Sequence, residues 1–301
     1  MNTRIKRSKS DQIFIIINLC FWILILFIIV YPLYLVVISS FSDPNAIIKG
    51  EVVYKPVSPS LIGYRAIMSY KQLWRSYYNS FVYTISGTAV RVTFTIMAGY
   101  ALSTAFPGKK YVNFYFIFTM FFGGGLIPTF LMIRTIGLYN SPLLYVLGVS
   151  VWNMMVARTY ITSAIPLELY DAARIDGASH FKYFARIIVP LSGTIVAVLC
   201  IYYAVGIWND FFTGLIYLRD RNLLPLQTIL REILATLQIS RTTLAGMDAY
   251  LDDMDKYYDA VRIAEIVKYC AIIISTVPAV VLYLFMQNYF VKGVMIGSIK
   301  G

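Results

Sequence analysis

Five runs of this sequence go 23 residues or more without a charged side chain: 13–42, 111–133, 135–157, 187–209 and 269–291. A helix needs about 20 apolar residues to cross the hydrocarbon core of a bilayer, so each run is long enough. A sixth stretch, 79–104, is apolar except for Arg91. Transmembrane β-strands would read instead as alternating segments of about 10 residues, a pattern not seen here. A soluble domain carries about 45–50% apolar and about 25% charged residues. This chain has 59% and 14%, with a mean hydropathy of +0.69. A soluble globule could not hide that much apolar surface, and a disordered chain would show the opposite bias. The chain reads as an all-α integral membrane protein.

The charge spacing predicts six transmembrane helices, at about 13–40, 79–104, 111–133, 141–163, 187–216 and 268–290. They form a single membrane domain, 13–291. Residues 1–12 are a basic N-terminus, 165–186 an inner loop, 218–265 an outer loop and 292–301 the tail. The first run follows Arg4, Lys6, Arg7 and Lys9, as a secretory signal would. It is about twice the usual length of about 7–15 residues and ends in no clean cleavage site, so it is expected to remain as an anchor.

Lys and Arg in short loops set the orientation. The N-terminus, Lys109 and Lys110, the segment with Arg158, Arg174, Lys182 and Arg186, and the tail with Lys292 and Lys300 all fall on one side of six spans. That side is the cytoplasm, with both termini in it. Arg134 is the exception, in a short outer loop. The net charge of +11 would suggest nucleic acid in a soluble protein. Here it reflects retained basic loops, and no nucleic-acid partner is expected. Cys20, Cys200 and Cys270 are odd in number and lie in apolar runs, which fits neither a disulfide framework nor a metal site.

Residues 165–190, between the fourth and fifth spans, read as two short helices and a turn. Pro166 suits a first helical position, and Glu168 and Asp171 complement the helix dipole. Gly177 suits the stop, Ser179 can cap the second helix, and Phe181, Phe184 and Ile188 share one face. On the first helix, Leu169, Ala172, Ala173 and Asp176 lie on one side. The two alanines make a shallow face that another protein can approach closely. Periodicity alone leaves two readings open, a docking knob or an ordinary amphipathic loop.

The segment resembles a known family. Asp171-Ala172-Ala173, Gly177 and Ile188-Val189-Pro190 look like the "EAA…G…I-LP" loop of binding-protein-dependent ABC importer permeases. The run from Ala172 through Arg174 to Ala178 is similar to the carbohydrate-uptake, maltose-permease-like subfamily, and within it to the LplC/YtcP-type branch for complex saccharides. So are Met120 to Pro128 with Gly137 to Asn140, Trp208-Asn209-Asp210, and the tail from Tyr289 to Gly301. Asp171 departs from the usual Glu by one methylene, and Val189 from the usual Leu.

The resemblance implies a type I ABC importer permease fold with a cytoplasmic coupling-helix loop, in a bacterial cell membrane. It implies a second homologous permease, two ATPases carrying ATP and Mg that bind the loop, and an extracellular or periplasmic sugar-binding protein. Leu169, Asp171, Ala172, Ala173, Arg174, Asp176, Gly177, Phe181 and Pro190 would then serve ATPase coupling. No cofactor is expected on this chain: Gly108-Lys109 lacks the first glycine of a phosphate-binding loop.

A mid-span cation such as Arg91 is costly and should face the bundle or a wet cavity. It is a path-lining candidate, or a structural hydrogen-bond donor to carbonyls or to a partner's carboxylate. Trp208, Asn209 and Asp210 have the ring, amide and carboxylate chemistry of a sugar site, but also that of an interfacial aromatic belt. Asp248, Asp252, Asp253, Asp255 and Asp259 give the outer loop an acidic end without calcium-loop spacing. By the family resemblance this loop contacts the binding protein. His180 is the single histidine, which argues against metal catalysis and hydrolytic triads. The competing readings are an ion-coupled secondary transporter, which would need inverted repeats and intramembrane carboxylates, and a membrane enzyme, which would need a polar constellation inside the spans.

Overall fold

The computed structural model describes the backbone of residues 8–246 and 254–298, and the side chains of 8–236, 262–285 and 287. No strand occurs among the described residues. The helices are α1 Lys9–Ser40, α2 Pro44–Ile48, α3 Ile62–Met68, α4 Lys71–Ser103, α5 Lys109–Phe121, α6 Leu126–Thr135, α7 Leu143–Leu147 and α8 Val151–Ala164. They continue with α9 Glu168–Ile175, α10 His180–Tyr183, α11 Val189–Leu191, α12 Gly193–Asn209, α13 Phe212–Tyr217, α14 Leu226–Gly246 and α15 Met254–Ser298. A π-turn, Phe184–Ile188, joins α10 to α11, and a 3₁₀ turn, Arg221–Leu223, precedes α14.

The chain divides into two compact units, Met1–Ser69 with Leu234–Ile274, and Tyr70–Ile233 with Ser275–Gly301. In the first, α1 is an almost wholly apolar rod whose outward side chains are exposed. Its end turns into α2, where Pro44 fills the first position and the Asp43 carboxylate accepts the Asn45 amide at 2.8 Å. The α3 glycine Gly63 sits against Ile266 and Cys270 of α15, where a Cβ would overlap both. The Tyr64 hydroxyl donates to Ser40 Oγ at 2.9 Å.

The second unit is built on α4, packed against α8 and α12. Two glycines set the spacing: a Cβ on Gly99 would press on Ala157, and one on Gly87 would overlap the Tyr145 carbonyl. Such small residues let helix backbones approach where burial in lipid supplies no hydrophobic drive. Two buried hydroxyls pair across the helices: Thr95 and Tyr203 share a 2.7 Å hydrogen bond, and the Tyr203 oxygen accepts the Ser150 amide at 3.0 Å. At the other end, Asn79 donates to the carbonyls of Asn222 and Leu224 at 2.7 and 3.1 Å, Tyr83 donates to that of Leu223, and Ser80 Oγ accepts the Leu226 amide.

Three helical stretches are long and apolar enough to cross a membrane: Lys9–Ser40, Lys71–Ser103 and Arg262–Phe285. Two more candidates are bent pairs. The run expected straight over 111–133 turns by 117° between α5 and α6. The cause is Gly123-Gly124-Gly125, with Gly125 at φ +81°, a conformation costly for other residues. The run over 187–216 turns by 78° at Ser192. The run over 141–163 breaks at Gly148, and Ser150 restarts the helix by accepting the Asn153 amide. The segment 218–265, expected as an outer loop, is helical over Leu226–Gly246 and again from Met254 among its described residues. Leu226, Ile229 and Leu230 are buried at helical spacing, so α14 forms and packs. Asp248, Asp252, Asp253 and Lys300 lie outside the described residues, and nothing is described of the Asp255, Asp259 and Lys292 side chains. The tail, read as 292–301, remains helical to Ser298.

Candidate functional site

The segment after α8 folds as the charge and glycine pattern requires. Glu168 and Asp171 occupy the first turn of α9, and Asp176 caps its end. Gly177 adopts φ +71°. Its amide donates to the Arg174 carbonyl at 3.0 Å, and the Ala178 amide donates to the Ala173 carbonyl at 2.9 Å. This pair of bonds satisfies carbonyls that a helix end leaves open. Ser179 Oγ accepts the Lys182 amide at 3.3 Å and starts α10. Pro166 lies two residues ahead of α9, before the cap residue Leu167 and not at the first helical position expected for it, and its carbonyl accepts the Leu169 amide.

Packing divides the segment into two faces. Ala173, Tyr183 and Ile188 are buried in one cluster with Tyr100, Ile161 and Ile165. Leu167, Ile175 and Phe181 face outward, at 73%, 87% and 74% exposure. This corrects two expectations. Ala173 is only 7% exposed, so it belongs to the inner face and not to a docking surface with Leu169, Ala172 and Asp176, which do stay exposed. Phe181 does not share the face of Phe184 and Ile188, because the inward stripe is centred on Tyr183, and the π-turn inserts an extra residue before Ile188. Asp171, Arg174 and Pro190 are exposed, and the Arg174 guanidinium lies 5.8 Å from the Tyr170 ring centre. Burial pushes the Tyr183 phenol up from its ordinary value, with Tyr170 adding to the effect. It stays neutral, as an inward residue must.

No family model matches the sequence. Whole-chain relatives do. Protein LplC of Bacillus subtilis (strain 168) is 32% identical over 297 residues, covering 98% of this chain and 97% of its own. The polygalacturonan/rhamnogalacturonan transport system permease protein YtcP of the same organism is 30% identical, covering 97% and 100%. A bacterial ABC transporter involved in the import of the acidic polysaccharide alginate superposes with a TM-score of 0.82 at 27% identity, covering 94% of this chain and 99% of that one.

The chain belongs to the permease subunits of ABC carbohydrate importers.

It is therefore a membrane transport subunit and not an enzyme, and importers of this kind work with ATPase and solute-binding partners. The relatives give no support to ion-coupled transport. Among the described residues no three His, Cys, Asp or Glu side chains could hold a metal ion.

The residues proposed for a sugar path are, in this permease, held by their own chain. Arg91 Nη2 donates to the Leu144 carbonyl at 3.1 Å, its guanidinium lies 5.9 Å from the Tyr203 ring centre, and it fills the space where Gly148 lacks a side chain. Donation to a carbonyl, one of the roles expected of this cation, is observed. Trp208 is buried, with Nε1 donating to the Ser275 carbonyl at 2.8 Å and its ring edge-on to Tyr77 and Phe81. Its ring is packed within the chain. Asn209 donates to the Val205 carbonyl at 3.0 Å, and Asp210 accepts the Thr213 amide at 2.9 Å. Beside Trp208 lies a cavity of about 450 Å³ lined by Tyr77, Phe81, Pro278 and Phe285.

Sequence reasoning missed Leu167 and Ile175 as outward residues, and His180 with its two tyrosines. The signal for Ile175 was present. It is a large apolar residue between Arg174 and Asp176, at a helix end whose inward positions are already filled by Tyr170 and Ala173.

Proposed function

We propose that this permease pairs with a second homologous permease in a bacterial cytoplasmic membrane, with six crossings and both termini inside. In this reading it imports oligosaccharides or complex saccharides delivered by an extracellular or periplasmic solute-binding protein. The saccharide reading rests on relatives named for polygalacturonan/rhamnogalacturonan transport and alginate import. Two ATPases carrying ATP and Mg dock on the loop at 165–186 and drive the cycle, and the chain itself binds neither.

The observation that carries the docking reading is the outward set Leu167, Ile175 and Phe181 on a segment whose other face is packed. Three large apolar side chains on a charged loop are stable when a partner covers them. Leu169, Asp171, Ala172, Arg174 and Asp176 surround that set, Gly177 and Pro190 shape the loop, and Ala173 anchors it from inside. The test is to co-purify the complex carrying Ile175→Asp with Phe181→Asp. The expected result is an inserted permease pair without ATPase subunits. Full ATPase content with normal stimulated hydrolysis would overturn the docking assignment.

A further inference from the structure

One side chain bridges α9 and α4 by hydrogen bonds at both of its polar atoms. His180 Nδ1 lies 3.2 Å from the Tyr100 hydroxyl, near the end of α4, and Nε2 lies 3.3 Å from the Tyr170 hydroxyl on α9. In either tautomer one ring nitrogen donates and the other accepts, and each phenol can take the complementary role. The rings reinforce the link. Tyr170 packs on His180 with centroids 5.6 Å apart and edge-on to Tyr183 at 5.3 Å, and Tyr100 packs on Tyr183 and Phe184.

The imidazole is rigid and both contacts are already long for a hydrogen bond, whose usual range ends near about 3.2 Å. The α9 helix therefore has little room to move before it breaks a bond or takes Tyr100 with it. Tyr100 cannot move alone, because it sits within α4, a continuous helix of 33 residues. At its far end the same helix holds the turn at 221–226 through Asn79, Ser80 and Tyr83. A rod of that length, about 50 Å at 1.5 Å per residue, has one end tied to the coupling loop and the other to the opposite connection.

We propose that His180 is a positioning residue that makes α4 follow the coupling helix, so that a displacement of α9 reaches the turn at 221–226. This rests on the reading of 165–186 as the ATPase-coupling loop. The test uses the assembled transporter with Cys20→Ser and Trp74→Cys, position 74 being exposed on the first turns of α4. The rate of labelling by an impermeant maleimide is compared with and without ATP, Mg²⁺ and vanadate. The expected result is at least a fivefold change on trapping. His180→Phe, which keeps a ring but loses both hydrogen bonds, should reduce it to within 1.5-fold while ATPase content stays full. His180→Gln, which can still donate and accept, should restore more than half of the change. His180→Phe with Tyr100→Phe should be no worse than His180→Phe alone.

A labelling rate that ignores trapping in the parent, or responds equally in His180→Phe, overturns the proposal. If His180→Phe does not assemble, Tyr100→Phe and Tyr170→Phe decide, since each removes one hydroxyl: full responses from both overturn it. The docking reading fails separately, by full ATPase content in the Ile175→Asp, Phe181→Asp complex.

Discussion

The helices α1 and α4 have nearly the same length, 32 and 33 residues, and opposite characters. The first is the more apolar, and none of its most apolar window is buried inside the chain. The second is interrupted by Asn79, Ser80, Thr95 and Arg91, and a third of its window is buried. In water the apolar helix would be the buried one. In a bilayer, lipid tails accept leucine and isoleucine as well as a protein core does, so apolarity marks what faces lipid. Packing falls to the helix that carries small residues and hydrogen-bonding groups, because those cannot face hydrocarbon without a partner. The contrast explains why α4 links the segment after α8 to the turn at 221–226 while α1 leaves most of its apolar length exposed.

Gly87→Leu should break α4 most severely. Its side chain would occupy the Tyr145 carbonyl, and overpacking of this kind costs about 3 kcal/mol or more. The expected outcome is loss of the monodisperse species in size-exclusion chromatography. A well-behaved Gly87→Leu protein would show that α4 and the Tyr145 region are loosely packed.

Next comes Asn79→Leu. It leaves the Asn222 and Leu224 carbonyls without the amide that holds them, which should cost about 1–3 kcal/mol. Thermal unfolding in detergent should show a clear drop in Tm, with secondary structure retained below the transition.

Arg91→Met is expected to act in the opposite direction. The cation has one hydrogen bond to Leu144 and an Nε without a partner. Replacing a poorly paired buried charge by an apolar side chain of similar length should stabilise the chain by about 1 kcal/mol. A falling Tm would mean that the guanidinium holds α7 and α4 together, and the contrast with α1 would deepen.

The smallest effect belongs to α1. Ile23→Ala in the isolated chain should shift stability by less than about 0.5 kcal/mol, because Ile23 is exposed on the surface of the chain and its truncation leaves no cavity. A loss of about 2 kcal/mol or more would show that α1 packs against protein after all.

Counting charges in the sequence marked the apolar runs, of which three are straight helices long enough to cross a membrane and two are bent pairs, and the segment 165–190 was marked by its acidic start, its glycine stop and its family resemblance. Both depend on local chemistry. Charge-free length is a property of the chain alone, and Gly177 is needed wherever the backbone takes φ +71°. The bends at Gly123-Gly124-Gly125 and Ser192 were less legible, since glycine permits a turn without requiring one. The inward position of Ala173 could not be read at all. Periodicity says that Leu169, Ala172, Ala173 and Asp176 share a side, and it cannot say which edge of that side meets Tyr100 and Tyr183. The same holds for Trp208, whose ring fits a sugar, a belt or a core equally well. Its partners, Tyr77, Phe81 and the Ser275 carbonyl, lie far from it in the chain, in both directions. Sequence determined which stretches must avoid water and where the backbone must stop or turn. Only tertiary structure decided which side of each helix is buried against the rest of the chain and which is left outward, because that choice depends on what the chain brings within a few ångströms.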